Sequence, residues 1–232
     1  MEFSDRHVVV TGGTGALGSA VVAALVERGA ICHVPFIAAA EAAAFRLRGH
    51  ERLKLVAARD LADEAAVATV YDSVDPLWAS IHLAGGFAMG GIGETGRATL
   101  VAQLEMNLVS AYLCCRAAVM RMRGKGGGRI VNVAARPALE PRLGAGMTAY
   151  AASKAAVAAL TEALAQEVAG DGILVNAVAP SIIDTAANRQ SMPNADHSQW
   201  PKPEEIAATI LHLASPANRV ARGAVVPVYG KV

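Results

Sequence analysis

The chain has 232 residues, of which 53% are hydrophobic and only 4% aromatic, and its formal charge at pH 7 is +1. This length is normal for one α/β domain that buries a sizeable core, so we predict a single domain over residues 1–232. The near-zero charge excludes strong electrostatic attraction to nucleic acid or to an anionic membrane surface, and we therefore expect small molecules as partners.

The first predicted unit is a strand, a glycine-rich turn and a helix. Residues 8–10 are a β-branched run, residues 11–18 read TGGTGALG, and a helical pattern over residues 17–28 stops at Gly29. Further strands are predicted at residues 30–36, 53–57 and 79–83, with helical patterns between them.

The second half continues the alternation of strands and helices. The predicted elements are a helix over 98–122, a strand at 129–133, a helix over 150–168, a strand at 173–177, a helix over 204–215 and a strand at 224–229. This rhythm predicts a Rossmann-like doubly wound parallel sheet with helices on both faces. The polar segment 181–203 is too long for an ordinary connection and is predicted to be a substrate lid.

The turn after the first strand is predicted to bind a dinucleotide. Glycines there let the backbone approach a pyrophosphate, whose charge then lies at the N-terminus of the following helix. The predicted contacts are Gly12, Thr14, Gly15, Ala16 and Leu17. A simple tight turn is the competing interpretation.

Residues 150–154 read Tyr-Ala-Ala-Ser-Lys. Because residues four apart share one face of a helix, the ammonium of Lys154 is expected to favour ionisation of the Tyr150 phenol and to make it a usable acid. The competing interpretation is a core tyrosine beside a surface lysine. Taken with the glycine turn, the pair resembles the short-chain dehydrogenase/reductase family.

This resemblance implies an NAD(P)-dependent oxidoreductase with three catalytic residues, Tyr150, Lys154 and Asn107. Asn107 matches the asparagine that holds a water near the lysine, although it can also mark a kink in its helix. Further implied cofactor contacts are the adenine pair Asp60 and Leu61, the backbone of Ala84, Gly85 and Gly86, the segment with Pro180, Ile183 and Thr185, and Tyr150 and Lys154 themselves. Asp60 has a second interpretation as a helix cap.

The choice between NAD and NADP is weakly marked. The second strand ends in Phe36, a further implied cofactor contact at the place where an acidic side chain would select NAD, and the glycine turn carries no cation for a 2′-phosphate. Arg46 and Arg48 either reach such a phosphate or are solvated. The prediction leans slightly to NAD.

A serine that the family usually carries is replaced by Ala135. The dihydropteridine reductase branch of the family also lacks this serine. Its loops resemble residues 12–19, 84–91 and 183–200 of this chain. The resemblance implies reduction of a quinonoid dihydropterin, with Tyr150 as proton donor and with Phe87 and Trp200 either as ring surfaces or as local core anchors. The alternatives are a general carbonyl reductase or alcohol dehydrogenase, with Arg136, Thr148 or a water replacing the lost hydroxyl, and a non-catalytic nucleotide-binding sensor.

Three cysteines without a CxxC pair indicate neither a disulfide framework nor a zinc site, and the scattered histidines indicate no metal. Glu2 and Asp5 precede the first apolar run, unlike a signal peptide, and no uninterrupted apolar stretch has the ~18 residues needed to cross a bilayer, so we expect a cytoplasmic protein without a membrane partner. Small apolar faces on residues 100–122 and 150–168 predict a homodimer or homotetramer. The residues assigned to this interface are Ala151, Ala155, Ala158 and Ala159.

Overall fold

The computed structural model describes all 232 residues and contains one sheet of seven parallel strands. The strands are β1 (His7–Thr11), β2 (Ile31–Phe36), β3 (Leu53–Ala57), β4 (Leu77–His82), β5 (Gly128–Val133), β6 (Ile173–Pro180) and β7 (Val225–Val228). Their order is β3-β2-β1-β4-β5-β6-β7, which reverses direction between β1 and β4. Ligands of doubly wound sheets bind at that reversal, outside the carboxyl ends of the strands. The predicted fold class is confirmed.

Nine α-helices connect and cover the strands. They are α1 (Ala16–Glu27), α2 (Ala39–Ala44), α3 (Glu64–Asp72), α4 (Arg97–Leu104), α5 (Ser110–Met122), α6 (Arg136–Leu139), α7 (Thr148–Glu167), α8 (Ala186–Ser191) and α9 (Pro203–Ala214). The short α6 and α8 were not predicted, since each occupies only four to six residues of a loop-like sequence.

The sheet is buried on both faces, as its runs of consecutive apolar residues require. In β1 the side chains of Val8 and Val10 pack with α1 and α9, whereas Val9 points to the opposite face. That second face is covered by α3, α5 and part of α7. The two helical layers leave the carboxyl ends of the strands as the open edge for a site.

The predicted helix over 98–122 is interrupted by a π-helical turn at Glu105–Val109, which carries Asn107. By length and composition alone, the stretch Arg97–Met122 is long and apolar enough to cross a membrane, although 39% of its most apolar part is buried within the protein. Its buried residues on α5, such as Leu113, Cys115 and Ala118, belong to the core cluster against the sheet. Packing against the sheet therefore accounts for the buried apolar residues of α5.

A buried polar cluster links β4, β5 and α7. His82 Nδ1 lies 2.8 Å from Asn132 Oδ1, and His82 Nε2 lies 2.8 Å from Ser80 Oγ and 3.2 Å from the Tyr71 hydroxyl. Asn132 in turn donates to Thr161 Oγ1 at 2.9 Å. Burial lowers the pKa of His82 to about 4, so its imidazole is neutral at pH 7. His82 is thus a buried packing residue with both ring nitrogens hydrogen-bonded.

One part of the predicted subunit interface is wrong. Ala158 is 7% exposed and packs against Ala134 and Ala179 beneath α7, so it faces the sheet. Ala159 is exposed and Ala151 and Ala155 are half-buried, which leaves these three available at the surface.

Candidate active site

The glycine turn joins β1 to α1 and fits a pyrophosphate. Gly12 has φ +65°, and a Cβ on it would lie 2.7 Å from the Ala84 nitrogen, while a Cβ on Gly18 would lie 2.1 Å from the Gly12 oxygen. At Gly15, the N-cap of α1, the nearest atom to an added Cβ is 3.4 Å away. No side chain caps α1 and its first turn carries no acidic residue. Its exposed positive end is therefore suited to a phosphate group.

The predicted contacts of the turn lie together here. Gly12, Thr14 and Gly15 form the turn itself, and Ala16 and Leu17 begin α1. Ala16 is exposed, whereas Leu17 packs partly against the core cluster beside α1.

Glu41 on α2 reaches back to this turn, which the sequence analysis did not foresee. Its Oε1 accepts a hydrogen bond from Thr14 Oγ1, and its Oε2 accepts from the Ile37 backbone N–H at 3.2 Å. Ile37 directly follows Phe36, which is half-buried at the end of β2. A carboxylate therefore lies at the carboxyl end of β2, although β2 itself contains no acidic residue. Glu41 is the only charged residue among the alanines between Ile37 and Phe45, a signal that could have been noticed.

The loop after β4 is held from two sides. The Ala84 N–H donates to Thr11 Oγ1 at 3.3 Å, and a Cβ on Gly85 would lie 2.6 Å from Asn107 Oδ1. Asn107 is 1% exposed and binds both polar groups of the Gly86 backbone, each at 3.0 Å. Its amide also donates to Ser153 Oγ at 3.1 Å on α7. Both interpretations of Asn107 thus meet in one residue, which lies in a π turn and beside the site.

Tyr150 lies in the first turns of α7, and its phenol faces the loop after β4. The rings of Phe87 and Tyr150 meet edge to face, with centroids 5.0 Å apart and an interplanar angle of 81°. Phe87 remains 58% exposed. The loop is tied to the turn before α7 by the Gly90 N–H, which donates to the Gly146 oxygen at 2.8 Å. Phe87 is therefore fixed beside Tyr150.

Lys154 lies one turn further along α7 and is 7% exposed. Its Nζ donates to the Val133 carbonyl at the end of β5, at 2.9 Å, and points toward Gly85. Burial lowers the pKa of Lys154 to about 8 and raises the pKa of Tyr150 to about 12. The expectation that Lys154 lowers the pKa of Tyr150 is therefore not met in the chain alone, because desolvation of the phenol dominates. At pH 7 the phenol keeps its proton.

Ala135, which was predicted to replace the family's serine, follows β5 at the carboxyl edge of the sheet. It is 4% exposed and is the N-cap of α6, where it offers no side-chain hydrogen bond. The next residue, Arg136, donates to Glu140 through two nitrogens at 3.0 and 3.3 Å, and its guanidinium carbon lies 4.7 Å from the Tyr229 ring centroid. Because its guanidinium is already engaged, Arg136 is a poor candidate for the predicted role of replacing a serine hydroxyl.

The remaining predicted contacts lie at the same edge of the sheet. Asp60 follows β3 and its carboxylate accepts from the Ala62 N–H at 2.9 Å, so it shapes a turn, while Asp63 caps α3. Leu61 is buried in the core. Pro180 ends β6, and Thr185 caps α8 by accepting from the Asn188 N–H at 3.2 Å.

The segment 181–203, which was predicted to be a substrate lid, packs against the body of the protein through Ile183 and Trp200. Ile183 packs against the core, and its carbonyl accepts from Asn188 Nδ2 at 2.8 Å. The Asp184 N–H donates to the Pro201 carbonyl at 2.9 Å, which joins the two ends of the segment. Trp200 is only 6% exposed, with the His197 ring 4.6 Å from it. Trp200 is therefore a core anchor, and the interpretation of it as a ring surface for a ligand is wrong.

Comparisons with known proteins agree with this geometry. A family model described as short chain dehydrogenase matches residues 6–196. The chain is 34% identical to a cis-4-hydroxycyclohexanecarboxylate dehydrogenase of Sinomonas cyclohexanicum, over 98% of this chain and 96% of the relative. It is also 34% identical to a galactitol 2-dehydrogenase of Rhizobium johnstonii, over 96% and 93% of the two chains. A solved structure of a short chain dehydrogenase/reductase family protein superposes with a TM-score of 0.91 at 27% identity, covering 99% of this chain and 98% of that one.

Proposed function

The chain belongs to the short-chain dehydrogenase/reductase family of NAD(P)-dependent oxidoreductases, and on that premise we propose that it reduces a quinonoid dihydropterin-like ring. The observation that carries the proposal is the buried Ala135, whose side chain provides no second hydroxyl to assist Tyr150 in hydrogen bonding to the substrate. We propose Tyr150, Lys154 and Asn107 as the catalytic residues.

We assign each part of the site a role in coenzyme binding or proton transfer. The open end of α1 and the glycines hold the pyrophosphate of the coenzyme, and the loop from Ala84 to Gly86 supports its nicotinamide side. A bound NAD(P)H supplies the hydride. Tyr150 donates its proton to the reduced ring, and its high pKa keeps that proton in place at pH 7. Lys154, still mostly cationic at pH 7 with a pKa of about 8, favours this proton donation by stabilising the phenolate that remains.

A quinonoid ring suits a site with one proton donor. Hydride addition to a ketone concentrates charge on a single oxygen, and a preorganised second donor there is commonly worth roughly 10²–10³ in rate. Hydride addition to a planar conjugated ring spreads the charge over several atoms, so the loss of the serine hydroxyl costs less. Phe87, exposed and fixed against Tyr150, offers the flat apolar surface on which such a ring can lie.

A second candidate is an alcohol dehydrogenase or carbonyl reductase. The two relatives described above are dehydrogenases of a cyclic hydroxy acid and of a polyol by name, and this observation favours it. With Arg136 held by Glu140, a water or Thr148 must then replace the missing donor. A non-catalytic sensor is disfavoured, because the buried Lys154 and the protonated Tyr150 have the geometry of a working site.

The assembly and location follow as further proposals. Large apolar side chains are exposed along α4, the π turn and α5, namely Leu100, Met106, Tyr112 and Met120. These exposed apolar side chains, with Ala159 on the neighbouring α7, suit contact with a second copy, and we propose a cytoplasmic homodimer or homotetramer.

The test is a rate comparison with purified protein. NADH and NADPH are each offered with freshly generated quinonoid dihydropterin and with a panel of ketones, and coenzyme oxidation is followed. Rapid pterin-dependent oxidation that is lost in Tyr150→Phe, but kept in Tyr112→Phe, supports the proposal. Ketone reduction without pterin reduction moves the assignment to the second candidate, and coenzyme binding without any turnover favours the sensor.

A further inference from the structure

We infer that Glu41 is the group that sets coenzyme choice, by accepting the hydroxyls of the adenine-side ribose and rejecting a 2′-phosphate. The inference rests on the proposed use of a nicotinamide dinucleotide. Glu41, a residue of the helix that follows β2, would supply the acidic side chain for the ribose that β2 itself lacks. The enzyme should accordingly prefer NADH to NADPH.

Glu41 lies between the glycine turn and the end of β2. In a doubly wound fold the pyrophosphate lies at the N-terminus of α1, and the adenosine half extends toward the end of the second strand. Glu41 spans that interval, since one carboxylate oxygen binds Thr14 of the glycine turn and the other binds the N–H of Ile37 just beyond β2. The carboxylate therefore lies along the path that the adenine-side ribose must take.

The Glu41 carboxylate has unused hydrogen-bond acceptor sites. A carboxylate has about four lone-pair sites, and the chain uses one on each oxygen of Glu41. Acceptor sites remain for the two ribose hydroxyls, which are donors. The backbone and Thr14 contacts also hold the side chain in place, so a ligand need not order it. Glu41 is half-buried, which strengthens its interactions relative to a fully solvated charge.

The negative charge of Glu41 disfavours a phosphate group beside it. No ion pair joins Glu41 to a lysine or arginine, so its negative charge is not neutralised within the chain. A 2′-phosphate beside Glu41 would add a charge of nearly −2, and the carboxylate would repel it. Arg48, a predicted candidate for such a phosphate, donates instead to the Ala43 carbonyl at 2.6 Å. Arg46 is exposed, and it lies beyond the C-terminus of α2.

One nearby cation favours the opposite outcome and sharpens the test. Arg59 follows β3 at the same edge of the sheet and is exposed without an ion pair. If Arg59 read a 2′-phosphate, NADPH would bind more tightly than NADH. The two residues thus predict opposite signs for the same measured preference.

The experiment measures dissociation constants of NADH and NADPH from the fluorescence of the bound coenzyme, without any substrate. For the wild-type chain we expect NADPH to bind at least about tenfold more weakly, which corresponds to about 1.4 kcal/mol. Glu41→Gln keeps the shape but removes the charge, and should bring the ratio of the two constants close to one. Glu51→Gln, an exposed glutamate before β3 at the opposite edge of the sheet, should leave the ratio unchanged.

The outcomes separate the inference from the proposed function. Equal binding of the two coenzymes by the wild-type chain, or an unchanged ratio in both Glu41→Gln and Glu41→Ala, overturns the inference while the nucleotide site stands. Tighter binding of NADPH overturns it in favour of Arg59, and loss of that preference in Arg59→Gln would identify the reader. Failure of the wild-type chain to bind either coenzyme overturns the proposed function and the inference with it. A wild-type chain that binds NADPH as tightly as NADH overturns the inference even if the variants do not fold.

Discussion

The side chain of Asn107 makes two hydrogen bonds to the backbone of Gly86, accepting from its N–H and donating to its carbonyl, each at 3.0 Å. This exchange resembles the pairing of two neighbouring strands, but one partner is a side chain from a π-helical turn. It anchors the loop between β4 and α4, in which Gly85 lies next to the Lys154 ammonium. The extra residue in the π turn is what brings Asn107 to the loop.

Replacing Asn107 by alanine leaves both polar groups of Gly86 without a partner. Each part-buried group left unsatisfied costs about 1–3 kcal/mol, so we expect Asn107→Ala to lower the free energy of unfolding by roughly that amount or more and to weaken coenzyme binding. Urea unfolding and coenzyme titration measure the two effects. Asn194→Ala, at an exposed site on the lid, should change stability by less than about 0.5 kcal/mol. Equal stability of the two variants would contradict this role for Asn107.

Ala135→Ser tests which reaction the site serves. Because Ala135 is in an extended N-cap conformation, an introduced hydroxyl can accept a backbone N–H of α6 and still donate its own proton toward a substrate oxygen. We expect kcat/KM for ketones to rise by at least about tenfold, and kcat/KM for a quinonoid dihydropterin to change little. The matched control is Ala134→Ser, whose side chain is buried against Ala158 and Ala179. A pterin rate that rises as much as the ketone rate would show that both reactions need the second donor.

The sequence predicted the sheet, the glycine turn and the Tyr150 and Lys154 pair because each depends on local spacing. Valine runs, glycines that no Cβ can replace, and two residues four apart on a helix are all visible in a linear reading. The contacts missed are those set by tertiary placement. Glu41 reaches the glycine turn from a helix that is separate in sequence, the burial of Trp200 that decides between its two interpretations depends on the packing of segment 181–203, and the pKa of Tyr150 depends on how much of the phenol is desolvated.

Lys154 is expected to make stability rise with pH above neutrality. Burial lowers its pKa from 10.5 to about 8, so between these values the unfolded chain holds more protons than the folded one, and the free energy of unfolding increases with pH. From pH 8 to 9.5 the gain is about 2 kcal/mol. Lys154→Met lacks this group, and its unfolding free energy should show that much less increase. Urea unfolding of the coenzyme-free proteins at both pH values measures the difference, with Lys231→Met, exposed at the C-terminus, as the control.

Acid stability is expected to depend on His82. Its pKa is lowered by burial from 6.5 to about 4, so as the pH falls from 6.5 to 4 the unfolded chain takes up a proton that the folded chain does not. The free energy of unfolding therefore falls over that window, by up to about 3 kcal/mol from this residue. His82→Asn retains a polar side chain next to Asn132 but cannot ionise.

The comparison is between slopes, since His82→Asn also loses the contacts to Ser80 and Tyr71 and should be less stable than wild type at pH 7. We expect its stability to fall less between pH 6.5 and 4, so that the wild-type and variant curves converge toward acid pH. His33, whose pKa is also lowered to about 4 by burial, contributes equally to both curves and cancels in the difference. His212→Asn, at an exposed position on α9, should give the wild-type slope. Parallel curves for wild type and His82→Asn would mean that His82 titrates alike in the folded and unfolded chains.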